Sequence, residues 1–350
     1  MRLMWKKWAV VCLLVTAGCG GHLPESVGPA QDILVLADPS DWATLEAPLR
    51  EIFEKVLHTP QAEKIFQIQY GNVEHFEQYK HHRRKNLLIV APLNAAHPTA
   101  QFLKTLLSTD VQDAVRAGRS TVSWKEDVWA KEQLLIVAAG KDLPAVVDNL
   151  RLEADRLYRA VENARNRRIA QLIYRYGEQE GIAAQLAQTH GWTFRVPFGY
   201  RILEAQPDSG FVILAKENPS RWIFVYWEDG IPPDRLTESW CIQKRDEITH
   251  RFFDEDRIAD GEVDVYQTEF AGKLAVTLQG LWENQKTWAG GPFKSYAFVD
   301  VDQNRFFFVD VGVFSPNKNK EPYLRQVDLM AQTFALGNAL PVPETAPSSR

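Results

Sequence analysis

The sequence predicts an α/β (α+β) protein of two domains. The first is an N-terminal α/β domain with a mixed sheet, which a long helix links to a C-terminal, mostly antiparallel α/β/α domain. Three observations carry this. Short apolar runs of buried-strand type, DILVLA and NLLIVA, are each followed by residues at helical spacing in the first half. An amphipathic stretch runs from Leu143 to Tyr176. The second half is strand-rich, with turn residues between its apolar runs.

Taken in order, Asp32 to Ala37 forms a strand, and Ser40 or Asp41 caps a helix whose apolar positions are Trp42, Leu45, Leu49, Ile52, Phe53 and Val56. A strand over Lys64 to Tyr70 and a short helix near Val73 to Tyr79 follow. Asn86 to Ala91 is a second buried strand, Ala100 to Ala117 a helix, and Val122 to Trp124 and Gln133 to Ala138 a strand pair. Gly177 ends the long helix, and Ile182 to Thr189 is a shorter one. Strands are then expected at Thr193 to Val196, Tyr200 to Ile202, Phe211 to Lys216 and Trp222 to Trp227. A helix over Thr237 to Phe252, capped near Pro233 and Asp234, precedes strands Val263 to Phe270, Lys273 to Trp282, Phe293 to Val301 and Arg305 to Phe314. Glu321 to Ala335 is the last helix. The resulting division is 32–140 for the first domain, 141–190 for linking helices and 191–337 for the second domain, with a disordered Pro- and Ser-rich tail at 338–350.

The N-terminus carries an address. Arg2, Lys6 and Lys7 precede a short apolar core, Trp8 to Val15, and then Thr16, Ala17, Gly18 and Cys19. The core is shorter than the roughly 20 residues that span a bilayer. Small residues followed at once by cysteine resemble the lipobox of bacterial lipoproteins, with Thr16 where Leu is usual. That resemblance implies a signal peptide over 1–18, lipid (palmitate among its chains) on Cys19, and a flexible tether over 19–31. Gly20 in place of Asp favours the outer membrane, facing the periplasm.

Composition excludes several classes. A net charge of −5 and the absence of a basic tail argue against nucleic-acid binding. ADPSDW after the first strand holds no glycine, so neither a dinucleotide fingerprint nor a phosphate loop is present, and no nucleotide or other cofactor is expected. No histidine spacing suits a metal, and no G-x-S-x-G elbow is found. Cys241, within Trp240-Cys241-Ile242 on a helix, reads as a buried thiol.

Four features have a chemical alternative beside their structural explanation. Asp38 and Asp41 sit where the first strand ends, a ligand position in open α/β sheets, yet Asp is also a good cap. His81 to Lys85 could meet a phosphate or form a solvated turn. Arg151, Arg156, Arg159, Arg165, Arg167, Arg168 and Arg175 of the long helix could meet anionic lipid or form a solvated face. The aromatic stretch with Trp282, Trp288, Gly290, Gly291 and Phe293 reads as a loop whose tryptophans either stack on a ligand or return to their own core.

GLWENQKTWAGGPFKSYAFVD, YLRQVDLM, EDVWAKEQLLIV and ILVLADPSDW together resemble the uncharacterised envelope lipoproteins grouped as domain of unknown function 4837. The resemblance covers nearly the whole mature chain and implies a lipidated envelope protein without assigning an activity. The second domain is also similar, in element order alone, to the PsbP-like α/β/α arrangement. The expected function is therefore a membrane-anchored binding or assembly module for a periplasmic protein or glycan. The alternative is a periplasm-facing enzyme with its site near Asp38 and Asp41 or in an interdomain cleft.

Overall fold

The structure, a computed structural model, describes residues 23–57 and 59–337. Cys19, the segment 1–18 expected to be a signal peptide and the tail expected at 338–350 lie outside the described residues. The chain divides into two compact units, the first ending at Arg168 and the second holding Val56–Glu63 and Ile169 onward. The boundary falls inside a helix, and each unit is an α+β layer structure in its own right.

In the first unit β1 (Asp32–Leu36) leads into α1 (Pro39–Phe53). Asp38, rather than Ser40 or Asp41, caps α1: its carboxylate accepts the Ser40 N–H, and Pro39 occupies the first helical position, where no N–H is needed. β2 (Val56–Leu57) and β3 (Glu63–Lys64) form a small ribbon whose residues 56–63 belong to the second unit, and β4 (Gln67–Gly71) replaces the single strand expected over Lys64 to Tyr70. β5 (Asn86–Pro92) is buried along its length. The helix expected over Ala100 to Ala117 is two, α2 (Pro98–Leu106) and α3 (Thr109–Arg116). Leu107 is extended and Ser108 accepts the Val111 N–H, so a capping serine restarts the helix. β6 (Thr121–Glu126), β7 (Leu134–Gly140), α4 (Leu143–Leu152) and α5 (Ala154–Tyr174) complete the run.

The strand order is β4-β1-β5-β7-β6, parallel except for β6 at the edge. Alternation sends Ile33, Val35, Leu88 and Val90 to one face, under α1, α4 and α5. Leu34, Leu36, Leu87 and Ile89 go to the other, under α2 and α3. Burial on both faces explains why these strands are continuous apolar runs. α4 packs against β7 as a layer of this unit.

The long helix carries arginines inward. Arg165 and Arg168 are 2% and 9% exposed. Arg165 donates to the Ile65 carbonyl, and Arg168 to the Glu132 and Lys85 carbonyls and to Asn86 Oδ1. Burial draws the Arg168 guanidinium down to about 10. These two lie inside the fold, bonded to carbonyl oxygens of the main chain and of Asn86, while Arg151, Arg156, Arg159, Arg167 and Arg175 are exposed.

In the second unit α6 (Glu180–His190) and β8 (Trp192–Thr193) precede the main sheet. Its strands are β9 (Arg201–Gln206), β10 (Phe211–Lys216), β11 (Ser220–Asp229), β12 (Arg257–Phe270), β13 (Lys273–Asn284), β14 (Ala289–Asp300) and β15 (Arg305–Phe314). The order β12-β13-β14-β15-β11-β10-β9 is antiparallel throughout. α7 (Glu238–Phe252), capped by Thr237 rather than near Pro233, covers one face through Cys241 and Ile248. α8 (Glu321–Ala331) packs on β15, β11 and β14. The chain then closes with β16 (Ala335–Leu336), paired to β8, where helix had been expected. Glu63 belongs to this unit because its carboxylate accepts the Lys320 and Glu321 N–H groups at the start of α8.

Candidate functional site

Parallel order places a topological switch in the first unit between β1 and β5, whose following helices lie on opposite faces. Asp38 and Asp41 follow β1, and His97 follows β5. His97 Nδ1 accepts the Ala100 N–H and so caps α2, which leaves the proton on Nε2, 3.0 Å from Asp41 Oδ2. Asp38 accepts from both the Ser40 N–H and hydroxyl and stands 3.7 Å from the same imidazole. Burial raises the Asp38 carboxyl, but the two Ser40 bonds lower it, and it stands below its usual range. Both imidazole nitrogens are thus occupied in a closed circuit that ties two helix starts together. Such a circuit offers no idle base.

The basic run is also absorbed locally. His81–Arg83 is a short 3-10 turn. Arg83 donates to the Glu25 carbonyl, Lys85 to the Gly28 carbonyl and Arg84 to Gln69, so the run holds the segment before β1 in place.

In the second unit the aromatic stretch is not a loop. β13 and β14 pair from Val276 with Ala297 to Asn284 with Ala289, leaving a short turn at 285–288. Trp282 is buried against Trp222, with ring centres 5.4 Å apart, and Phe293 lies wholly in the core. Gly291 is required by packing: a Cβ there would sit 2.1 Å from the Val313 carbonyl oxygen. A Cβ on Gly290 would meet the Trp282 carbonyl oxygen at 3.0 Å. Trp288 alone of these five faces outward, 91% exposed and at φ 54°.

The turn that presents Trp288 is braced. Asn284 accepts the Lys286 and Thr287 N–H groups and donates to the Asp254 carbonyl and to Asp256. Lys286 pairs with Asp254 and Glu255 at 3.1 and 3.0 Å. Between this turn and α7 lies a cleft of about 570 Å³. Gln243, Asp246, Glu247 and His250 line it from one face of α7, with Asp256 and Arg257 opposite and Gln285 and Lys286 at the turn. Burial raises the Asp246 carboxyl against the donated Ile258 N–H, and raises Asp256 against its bond from Asn284. The cleft offers hydrogen-bond donors and acceptors of both kinds, and the turn that supplies Gln285 and Lys286 to its lining also carries the exposed Trp288, which is not itself a lining residue.

The α7 residues escaped the sequence reading. Their spacing was visible, but a polar helix face looks the same whether it lines a cleft or meets bulk water. Cys241 is buried, and burial pushes its thiol up to about 12, so it is no nucleophile at neutral pH. Among the described residues no group of three or more histidine, cysteine or acidic side chains could hold a metal ion. Nor is any described helix long and apolar enough to cross a membrane.

The chain is an α+β protein of two domains, each matched by an uncharacterised family. Residues 179–333 match the model described as Domain of unknown function (DUF4837), and residues 26–174 match Domain of unknown function (DUF8532). The model of the family expected from the sequence matches the C-terminal domain alone, while ILVLADPSDW and EDVWAKEQLLIV fall in the segment matched by the second model. No curated protein sequence matches the chain. Among solved structures it is similar to a protein of Bacteroides thetaiotaomicron, at 6% identity and TM-score 0.27, over 42% of this chain and 46% of that one. The chain thus spans about half the length of that protein. It is similar to the Ran-binding protein Mog1p of Saccharomyces cerevisiae at 11% identity and TM-score 0.30, over 42% of this chain and 90% of that one. It is similar to LpqN of Mycobacterium tuberculosis, involved in cell envelope biogenesis, at 10% identity and TM-score 0.28, over 42% of this chain and 83% of that one.

Proposed function

We propose that this chain is a lipid-anchored envelope protein whose C-terminal domain binds a glycan in the cleft beside Trp288. The observation that carries the reading is Trp288 itself, nine-tenths exposed on a turn that Asn284 and Lys286 brace against the α7–β12 connection. An exposed indole on a rigid turn gives a flat apolar platform at small ordering cost. The neighbouring cleft supplies amide, carboxylate and cationic groups, the complement of hydroxyl and acetamido groups on a sugar. Its four carboxylates, Asp246, Glu247, Glu255 and Asp256, favour a neutral or amine-bearing glycan over an acidic one. The signal segment ending at Cys19 supports an envelope address, with lipid as the anchor and the periplasm as the compartment in which the cleft operates.

Two measurements test the two halves separately. Titration of the full chain with tri-N-acetylchitotriose, followed by tryptophan fluorescence, should give saturable quenching that Trp288→Ala removes. Quenching retained in the variant, or none in the parent at millimolar sugar, would count against the cleft. Mass spectrometry of the membrane-extracted protein should show acyl mass on Cys19, with Cys19→Ala released from membranes. An unmodified N-terminus would remove the anchor.

A further inference from the structure

A second recess in the C-terminal unit has a different chemistry. It measures about 140 Å³ and is formed by the end of α5, the turn before β9, β10, β11 and α8. Lys216 and Arg221 both line it, and no carboxylate is among its lining residues. Gly199, at φ 90°, allows the Lys216 stem to lie close: a Cβ there would meet Lys216 Cε at 3.0 Å. Lys216 Nζ donates to the Phe198 carbonyl at 2.8 Å, and Arg221 Nη1 to the Pro219 carbonyl at 2.9 Å. Arg221 is 7% exposed, and its Nε is buried with no hydrogen-bond partner.

Two cations therefore share one recess, with carbonyl partners and, for Arg221, the Tyr200 hydroxyl and the Tyr200 and Tyr323 ring faces, but with no anion among the lining residues. Burial, and after it the Arg221 charge, pushes the Lys216 ammonium below its usual range. A buried donor without an acceptor is costly, and a guanidinium edge is built to meet carboxylate or phosphate oxygens in pairs. At the mouth stand Leu172, Tyr176 and Phe198, which are 53%, 75% and 60% exposed. Exposed apolar groups gathered around a polar floor are the complement of a molecule with one charged end. The recess holds only about four or five water volumes, enough for a head group and its first carbons.

We propose that this recess binds a small amphiphilic anion, its carboxylate or phosphate head against Lys216 and Arg221 and its apolar body across Leu172, Tyr176 and Phe198. This site is separate from the cleft beside Trp288 and does not rest on the glycan reading.

Isothermal titration of the full chain with decanoate, octyl phosphate, inorganic phosphate and octylammonium, each below its micelle concentration, tests it. Saturable one-to-one binding of decanoate or octyl phosphate is expected, and the tighter of the two identifies the head group. Lys216→Gln, at a partly exposed position that should fold normally, should weaken that binding at least tenfold. Phe198→Ser should weaken it severalfold, and Trp288→Ala should leave it unchanged. Octylammonium binding as tightly as the anions, or an unaffected Lys216→Gln, would overturn the charge assignment. Inorganic phosphate binding as tightly as octyl phosphate would overturn the amphiphile. Because Arg221→Gln could unfold the protein, its titration is read only beside a native circular dichroism spectrum.

Discussion

Arg245 and Asp310 form an ion pair sealed inside the C-terminal domain, with Nε 2.8 Å from Oδ2 and the side chains 2% and 0% exposed. Ser295 donates its hydroxyl to the same oxygen, and the guanidinium lies 3.4 Å over the Phe293 ring. The pair joins α7 to the middle of the sheet, so Phe293 serves this contact and not a ligand. Removing one partner strands the other charge, at a cost of about 3–5 kcal/mol. Asp310→Ala should therefore lower stability by that order in urea unfolding. The double change Arg245→Met with Asp310→Leu should recover most of the loss, since an apolar pair leaves no charge behind.

Acid sensitivity should centre on Asp328. Burial would raise its carboxyl, but the Lys294 ammonium at 3.0 Å and the Tyr296 hydroxyl outweigh that and hold it below its usual value of 3.8. A depressed folded-state pKa contributes stability that is fully present above the unfolded value and is lost as pH falls through the folded one. The advantage of the parent over Asp328→Asn should then be constant from pH 7 to about 5 and shrink below pH 4. Thermal unfolding across that range would show it. An advantage that grew on acidification would contradict the assignment.

At the switch point, His97 is expected to act as a cap. His97→Ala should cost about 1 kcal/mol, the worth of a lost N-cap, and His97→Asn should restore most of it because asparagine caps well. Were His97 instead a working base, both variants would fail alike in function while stability moved little.

Gly291 is expected to tolerate no side chain. Gly291→Ala forces a Cβ onto the Val313 carbonyl, and overpacking of this kind costs about 1–3 kcal/mol. Gly290→Ala, with its nearest atom at 3.0 Å, should cost less. Chemical denaturation of the two variants side by side gives the comparison. Trp288→Ala, fully on the surface, should change stability by no more than about 0.5 kcal/mol.

Much of the fold was legible because the two periodicities differ. DILVLA and NLLIVA read as buried strands from their length and their flanking turn residues, and Phe211–Lys216 and Arg305–Phe314 have the expected ends. What failed was local punctuation. Ser108 splits one expected helix into two because a cap competes with propensity. The stretch from Trp282 to Phe293 reads as a loop because its glycines suggest turns, whereas the Val313 carbonyl on β15 demands Gly291 and the Trp282 carbonyl on β13 crowds Gly290.

The sequence by itself determined the two-domain α+β plan and the buried Cys241, since each depends on neighbours along the chain or on composition. The tertiary structure alone decided the sites. Asp41 and His97 are 56 residues apart, and only the parallel order of β1 and β5 makes them partners. Trp282 and Trp288 share one motif, yet strand register buries the first and a left-handed turn exposes the second. Lys216 and Arg221 became a paired cationic floor only when β10, β11 and the Gly199 turn closed around them. Side-chain direction across a sheet and distance between strands are properties of the folded chain, and those decide which groups meet.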